Sequence, residues 1–454
     1  MDIGTSKNGA ASLDGLSSSL AKAMIRSLIR GTTISGGVKF INVGHEKWIR
    51  AQNELLGEIG QDGHSDTKFV RGSYGAGKSH FLSVVQDEAR EDGWVTSHVE
   101  CKVDGVQIDR FETLYPKIVS RMVLPDAANQ SEEMANTNPL RLLLEKWAHE
   151  LIKQVGVKDA VISRPFDAEV RLHNRLEATL LRSNLSPDFI RAACIFARSL
   201  LARDFETAYA VGTWIGGQPD KISVPRLYLQ KPSLSKDSGE RIILRPIGKS
   251  TATEAMRGIL WLVRSAGYVG LVLCIDEVEE LAKLGSRKRQ DQALQALREY
   301  VDHAGGDGGF KHFCMYLAAT PEMFEGENYF PRYDALATRI QAVGPEINWR
   351  APIVDLDRTP LNNSQLHQMA LRIVDVHRIA YGAPQSGNLS TELAVQIANK
   401  VNDAKFRIAK PRLLARVVVD FLERNRLEGD GRAPIDISKS ISAAATSLIK
   451  EVAV

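Results

Sequence analysis

The sequence predicts an α/β fold in which a parallel sheet is combined with a helical insertion and a helical C-terminal part. Two continuous apolar runs, Tyr268–Ile275 and Phe313–Ala319, indicate strands that are covered on both faces. A third strand, Thr67–Val70, leads through a glycine-rich loop into a helical pattern that begins at Ser79. Strands that alternate with helices in this order are typical of a parallel sheet with right-handed crossovers.

The remaining elements follow from hydrophobic periodicity. Helical spacing continues mostly through Phe111–Ala210, whereas Gly216–Pro246 is rich in turn signals and predicts a loop or small hairpins. Beyond Leu361 the pattern is helical in about four segments. The other predicted helices are Ser18–Arg30, Glu46–Ile59, Thr251–Ser265 and Asp291–His303, and the other predicted strands are Trp94–Val99 and Pro352–Leu356.

Composition bounds the class of protein. The chain has 454 residues, 44% hydrophobic and 25% charged, so two or three structural units are expected. It has no apolar run of bilayer length and no signal-peptide pattern, so we expect a cytoplasmic protein with no membrane partner. Its four cysteines form no C-x-x-C pair, which excludes a zinc ribbon and argues against a disulfide framework. A net charge of +3 neither requires nor forbids a nucleic-acid partner.

The glycine-rich loop fits the phosphate-binding pattern G-x-x-x-x-G-K-[ST]. Its glycines allow backbone N–H groups to face phosphate oxygens, Lys78 supplies a positive charge and Ser79 a hydroxyl ligand for Mg²⁺. The pattern therefore predicts ATP and Mg²⁺ as cofactors, and a chance glycine-rich turn is the alternative. The candidate nucleotide-binding residues are Gly72, Ser73, Tyr74, Gly75, Ala76, Gly77, Lys78, Ser79 and the following His80.

Two polar strand ends supply candidate catalytic groups. The run LVLCIDEVEEL places Asp276 as a Mg²⁺ ligand through water and Glu277 as general base; an acidic helix cap is the alternative. Thr320 ends the next buried strand, where its hydroxyl can orient the attacking water, although a strand-ending Thr-Pro is also common without a function. This order of elements indicates a P-loop plan in which an additional strand separates the strand of the Lys78 loop from that of Asp276.

Further candidates lie outside these strands. Arg339 ends the helix after Thr320, where an arginine can reach a neighbouring subunit, and Arg412 opens a C-terminal helix, where an arginine can sense nucleotide in cis. For either arginine a surface salt bridge is the alternative. Val43 and Gly44 could pack on an adenine edge, or they form an ordinary turn. The basic run Arg287–Arg289 could contact nucleic-acid phosphates or be a solvated charge run.

These segments together resemble the BREX-type phage-defence ATP-binding proteins, within the AAA+ group that includes origin-recognition and helicase-loader ATPases. The resemblance is carried by SLIRGTTISGGVKFINVGHE, FVRGSYGAGKSHFL, LVLCIDEVEEL, LAATPEMF, YDALATRI and PRLLARVVVDFL. The family usually has arginine where this chain has His45. The resemblance implies an AAA+ core with a helical lid, Mg-ATP hydrolysis by Lys78, Ser79, Asp276, Glu277 and Thr320, a trans-acting Arg339 and a lid-sensing Arg412.

The resemblance also implies partners and an organisation into segments. Other proteins of a defence operon, including a helicase, are expected as partners, together with DNA and further copies of this chain. The predicted segments are an N-terminal helix with the adenine-side segment (1–45), the first part of the AAA+ core (46–124), a mostly helical insertion (125–246), the second core part (247–358) and the helical lid (359–454).

Two classes of function stay open at this stage. The first is an oligomeric ATPase that acts on DNA or loads or remodels a partner such as a helicase. The second is a nucleotide-gated scaffold or switch that recruits defence partners and hydrolyses slowly. Glu277 and Arg339 favour the first, because a pure switch could dispense with both. A metabolic kinase is disfavoured by the predicted strand order and by the lack of an acceptor-substrate base.

Overall fold

The computed structural model describes residues 13, 15–31, 36–126, 138–155, 165–180, 183–218, 220–232, 239–305, 309–325, 329–340, 346–382, 387–403, 410–428 and 436–452. Within these ranges the chain has an α/β fold with a mostly parallel six-stranded sheet, as the apolar strands predict.

The strands are β1 (Ser65–Arg71), β2 (Val95–Glu100), β3 (Met122–Val123), β4 (Ile222–Pro225), β5 (Arg241–Leu244), β6 (Leu271–Asp276), β7 (Phe313–Ala319) and β8 (Ile353–Asp355). The main sheet has the order β3-β2-β6-β7-β1-β8, and β4 and β5 form a separate antiparallel hairpin. Strands β2 and β6 are parallel, as are β1 and β8, whereas β3 is antiparallel to β2. Strand β7 lies between β6 and β1, which agrees with the predicted additional strand.

The helices of the described ranges are α1 (Ser18–Arg30), α2 (Glu46–Asp62), α3 (Lys78–Glu91), α4 (Cys101–Asp104), α5 (Phe111–Ser120), α6 (Pro139–Gln154), α7 (Pro165–Leu180), α8 (Pro187–Leu201), α9 (Phe205–Ile215), α10 (Ala252–Ser265), α11 (Arg287–Gly305), α12 (Asp334–Ile340), α13 (Asn363–Tyr381), α14 (Gly387–Asp403), α15 (Lys410–Glu428) and α16 (Ile437–Val452). Each of them is too short or too polar to span a bilayer.

The chain divides into two compact units, of which the first comprises Met1–Leu55, Lys68–Glu88 and Leu317–Val454. Its hydrophobic core joins α1 to the C-terminal helices α13–α16. The hydroxyl of Ser17 caps α1 by accepting the Leu20 N–H, and Gly31 ends the helix at a left-handed φ of 69°. Met24 and Ile25 of α1 are fully buried in this core. The N-terminal helix is therefore part of the C-terminal bundle.

The second unit comprises Leu56–Thr67 and Ala89–Tyr316. Helix α10 packs on α5 and α6, and α8 packs on α9. The described residues between 139 and 215 lie mostly in α6–α9, as their helical spacing predicts. Arg198 of α8 is 2% exposed and donates to the carbonyls of Tyr228 (2.8 Å) and Gln230 (2.7 Å). These bonds satisfy one nitrogen of the buried guanidinium, Glu169 lies 3.8 Å from another, and together they hold the segment that follows β4.

Two element boundaries differ from the predictions for identifiable reasons. Helix α11 begins at Arg287 rather than Asp291, because the Ser286 hydroxyl accepts the N–H of Arg289 at 3.3 Å and so caps the helix ahead of its basic first turn. Strand β6 begins at Leu271 rather than Tyr268, since the Arg264 guanidinium occupies the carbonyls of Tyr268 (2.9 Å) and Val269 (3.0 Å).

Candidate nucleotide-binding site

The predicted phosphate-binding loop, Gly72–Ser79, joins β1 to α3 in the first unit. Gly75 and Gly77 have φ values of 80° and 102°, a region that residues with a side chain rarely adopt. Helix α3 begins at Lys78, so the positive end of its dipole faces the loop. Lys78 is 8% exposed, and its Nζ donates to the Gly72 carbonyl at 2.9 Å. The loop therefore combines left-handed glycines, a helix N-terminus and a buried ammonium group.

The base of the loop is held by a residue that the sequence did not single out. Asp357, two residues after β8, accepts the N–H and the hydroxyl of Ser73, both at 2.8 Å. The N–H of Gly72 lies 3.4 Å from the Ala319 carbonyl, and the N–H of Ala76 donates to the Ser73 carbonyl at 3.0 Å. The only sequence signal for Asp357 is its place in IVDLD, where one acidic residue ends β8 and a second follows two residues later.

Ser79 and His80 occupy the first turn of α3. The Ser79 carbonyl accepts the Ser83 hydroxyl at 2.9 Å, as expected inside a helix. The ring of His80 lies 3.1 Å from the Asn42 side chain. Burial, together with the nearby His45, lowers the pKa of His80 to about 4. His80 is therefore neutral at pH 7 and contacts the segment before α2.

The predicted adenine-side segment lies in the same unit. Val43 is buried, and Gly44 has a φ of 80° with its N–H bonded to the Glu46 carboxylate at 3.0 Å. A Cβ at Gly44 would lie 2.3 Å from a methyl group of Leu361. His45 also has a positive φ, and burial lowers its pKa. Position 44 therefore favours glycine, because of its positive φ and because a methyl group of the Leu361 side chain lies close to it.

Thr320 follows β7 and precedes a short 3₁₀ turn, Pro321–Met323. Its side chain hydrogen-bonds Glu322, which lowers the pKa of that carboxyl; the positive charge of Lys78 lowers it further. Glu322 is thus a second acidic residue beside the loop that sequence reasoning missed. Its signal in the sequence is its place directly after the polar strand end.

The structure describes the side chain of one candidate arginine, Arg412, but not that of the other, Arg339. Arg412 lies in the first turn of α15, and its guanidinium carbon is 4.7 Å from the ring centroid of Tyr74 in the loop. This contact brings a residue of the C-terminal helices and a residue of the loop together within the first unit. Arg339 lies in α12, but its side chain is outside the described residues. The trans role of Arg339 therefore stays a prediction.

The carboxylates of the second unit lie at the carboxyl end of β6. Asp276 is 2% exposed, and its Oδ1 accepts the N–H of Glu277 at 2.8 Å. Glu277 has left-handed backbone angles, φ 56° and ψ 42°. Glu100, at the end of β2, is the register partner of Asp276. Burial raises the pKa of Glu100, and the negative charges of Asp276, Glu277 and Asp104 raise it further. These carboxylates concentrate negative charge at one end of the β2–β6 pair.

This donor set fits Mg²⁺, which takes hard oxygen ligands, keeps several waters and uses few protein groups. Asp276 is buried and acidic, and the mutual repulsion seen at Glu100 is what a divalent cation would relieve. The described ranges contain no group of three or more His, Cys, Asp or Glu side chains that could hold a metal ion. Any Mg²⁺ held at Asp276 would therefore need ligands besides these side chains.

The basic run lies in the second unit. Arg287 and Lys288 are exposed in the first turn of α11, whereas Arg289 lies 3.9 Å from the Asp109 carboxylate. Part of this run is thus engaged within the protein and part is available to a partner.

The cysteines Cys101, Cys274 and Cys314 are free and buried, and Cys194 is free and partly buried.

Comparison with known proteins adds one match. The family model for the BREX system ATP-binding protein BrxC/D matches residues 16–433. This range includes the loop, both polar strand ends and most of the C-terminal helices. No curated protein matches the sequence.

Proposed function

Because the chain belongs to the BREX system ATP-binding protein BrxC/D family, we propose that it is a Mg-ATP-dependent AAA+ ATPase that works in the cytoplasm in defence against phage. The observation that carries this proposal is the loop Gly72–Ser79, whose left-handed glycines lead into a helix that begins at a buried lysine. A loop of this form binds the phosphates of a nucleotide. The strand order, with β7 between β6 and β1, supports the additional-strand plan of such ATPases.

Phosphate binding is assigned to the loop and to Lys78. The Lys78 ammonium donates to the Gly72 carbonyl, and exchange of that neutral acceptor for an anionic phosphate oxygen would give a stronger hydrogen bond between two charged groups. Val43 and Gly44 form the adenine side, where Leu361 limits the space above Gly44. The family assignment to ATP-binding proteins supports ATP as the nucleotide.

Metal binding is assigned to Ser79 and Asp276. When bound, Mg²⁺ would neutralise phosphate charge and polarise the γ-phosphate. One oxygen of Asp276 accepts the Glu277 N–H, and the other lies 3.9 Å from the His98 ring, so a bound cation would share this carboxylate with neighbouring groups. The negative charge around Asp276 raises the local affinity for a cation.

Proton transfer is assigned to Glu277. Its left-handed backbone is uncommon for a residue with a side chain, and strained residues of this kind cluster at functional sites. As a general base, Glu277 would accept a proton from the attacking water while the Thr320 hydroxyl orients that water. The Thr320 hydroxyl also hydrogen-bonds Glu322, so this carboxylate lies next to the group proposed to orient the water.

Arg339 and Arg412 are assigned to charge stabilisation, Arg339 in trans within a homo-oligomer and Arg412 in cis. Mixing of inactive Arg339→Ala and Lys78→Ala subunits tests the trans role. Partial recovery of ATPase activity in mixed oligomers is expected, because one subunit type keeps an intact loop and the other an intact arginine. No recovery in well-formed mixed oligomers would exclude it.

The work of the ATPase is proposed to be on DNA or on a defence partner such as a helicase. The test is the ATPase rate with no DNA, with single-stranded DNA and with double-stranded DNA, each at two salt concentrations. Stimulation that weakens at high salt is expected for phosphate contacts. A slow rate that is flat across all conditions would instead support a nucleotide-gated switch that recruits partners.

A further inference from the structure

We propose that Tyr74 is a positioning residue for Arg412, and that it holds the lid guanidinium at the phosphate-binding loop. The proposal rests on the ATP site proposed above. It assigns a role to the loop residue that the phosphate-binding pattern leaves open, since any residue type can occupy that position.

The contact itself is close. The guanidinium carbon of Arg412 lies over the Tyr74 ring, 4.7 Å from its centroid, well inside the range of a cation–π interaction. Tyr74 is partly exposed and lies in the loop between Ser73, which Asp357 anchors, and the left-handed Gly75. The ring is therefore presented from a backbone that is fixed on both sides.

The guanidinium of Arg412 also lies near the end of α1. A Cβ at Gly31 would lie 3.4 Å from the guanidinium of Arg416 and 3.7 Å from that of Arg412. The two arginines are four residues apart on α15, where like charges repel. An electron-rich ring face beside Arg412 offsets part of that repulsion, and a bound phosphate would offset more.

The geometry suits a guanidinium that must also bind phosphate. A planar guanidinium can stack by its face while its N–H edges remain donors for a phosphate. Tyr74 thus fixes the position of the plane without occupying the donors, and a rigid ring with two rotatable bonds does so at low entropic cost. Tyr74 acts through Arg412 and is not itself required to touch the nucleotide.

The test is a double-mutant cycle on the affinity for ATP and the KM for ATP, with Tyr74→Ala, Arg412→Ala and the double variant. We expect Tyr74→Ala to raise the KM about three- to tenfold, in line with a partly exposed cation–π contact. In the Arg412→Ala background the same change should raise the KM less than about twofold, because the interaction is already lost. Tyr74→Phe, which keeps the ring, should stay within about twofold of the unmodified chain.

A matched control comes from a second stack in the C-terminal helices. The guanidinium of Arg426 lies 4.3 Å from the ring centroid of Tyr381. Tyr381→Ala removes a comparable contact away from the loop, so it should lower the Tm without changing the KM. An equal effect of Tyr381→Ala on the KM would show a general loss of lid stability and overturn the proposal.

Two other outcomes would also overturn it: additive effects of Tyr74→Ala and Arg412→Ala, or a Tyr74→Phe variant as impaired as Tyr74→Ala. Lys78→Ala separates this failure from failure of the ATP site. If the unmodified chain binds ATP and Lys78→Ala does not, additivity contradicts the role of Tyr74 alone. If neither binds ATP, both the site and the role of Tyr74 are wrong.

Discussion

The carboxylate of Asp357 accepts two hydrogen bonds from Ser73, one from the main-chain N–H and one from the hydroxyl, each 2.8 Å long. The two residues are 284 positions apart in the sequence. A carboxylate that accepts an N–H at the start of a loop fixes the direction in which the next N–H groups of that loop point. Asp357 is therefore expected to preorganise the phosphate-binding loop.

Replacement of Asp357 by alanine removes both acceptors and should raise the KM for ATP about tenfold, the effect expected when hydrogen bonds to a charged acceptor are lost. Ser73→Ala removes only the hydroxyl and should have the smaller effect of the two. Asp188→Ala serves as control, because it removes an exposed carboxylate that pairs with Arg191 at 2.9 Å. A KM for Asp357→Ala equal to that of the control would contradict the role of Asp357.

Local patterns predicted those parts of the fold that depend on neighbours in sequence. The bounds of α1 follow from its apolar spacing and from Gly31, and β7 follows from a continuous apolar run. The loop Gly72–Ser79 follows from its pattern. The strand order could be predicted only for β6, β7 and β1. The spacing of apolar residues predicts single strands, and the order of these three follows from the additional-strand P-loop plan.

Contacts between distant residues were not predictable from one sequence. Asp357, Glu322 and the stack of Arg412 on Tyr74 depend on which loops the fold brings to the same sheet edge. The left-handed backbone of Glu277 also leaves no local signal, since glycine is the residue usually expected at such angles. The three contacts set the surroundings of Ser73, Thr320 and Tyr74, residues that the sequence motifs do identify.

Lys78→Ala should abolish nucleotide binding, with an affinity loss of roughly 100-fold or more, because it deletes a buried charge that would donate to phosphate oxygens. The measurement is calorimetric titration with ATP, with the Tm recorded alongside. Lys283→Ala is the matched control, since Lys283 is exposed and paired with Glu280 at 2.9 Å. Unchanged ATP affinity in a folded Lys78→Ala variant would exclude the loop as the phosphate site.

Glu277→Gln should keep the affinity for ATP within about threefold and lower the hydrolysis rate by roughly 100-fold or more, the usual contribution of a general base. The pair of measurements is an equilibrium titration and a steady-state ATPase assay. Glu280→Gln, three residues further on, should change neither. Normal hydrolysis by Glu277→Gln would show that another group accepts the proton.

The backbone of Glu277 permits a separate prediction. Because φ is 56° at this position, Glu277→Gly should relieve strain and stabilise the fold by about 1 kcal/mol while it removes activity. Urea unfolding and the ATPase assay measure the two effects on the same variant. A Glu277→Gly variant that is less stable than the unmodified chain would mean that its side chain contacts outweigh the strain.

The histidines beside the loop predict how stability depends on pH. The pKa of His80 is lowered from 6.5 to about 4 in the folded chain, and the pKa of His45 is lowered as well. Between those pH values the unfolded chain binds more protons than the folded chain, so the free energy of unfolding should fall as the pH falls from about 6.5 to about 4. Above about pH 7 the contribution should be constant.

Urea unfolding of the chain and of His80→Asn at pH 7.5, 6.0 and 5.0 tests this dependence. One group whose protonation differs between the two states changes stability by at most about 1.4 kcal/mol per pH unit, so His80→Asn should flatten the acidic limb by less than that. His149→Asn, which replaces an exposed histidine in α6, should leave the limb unchanged. If the free energy of unfolding of His80→Asn falls as steeply with falling pH, other groups, such as carboxylates that become protonated, set the acid sensitivity. The prediction for His80 would then be wrong.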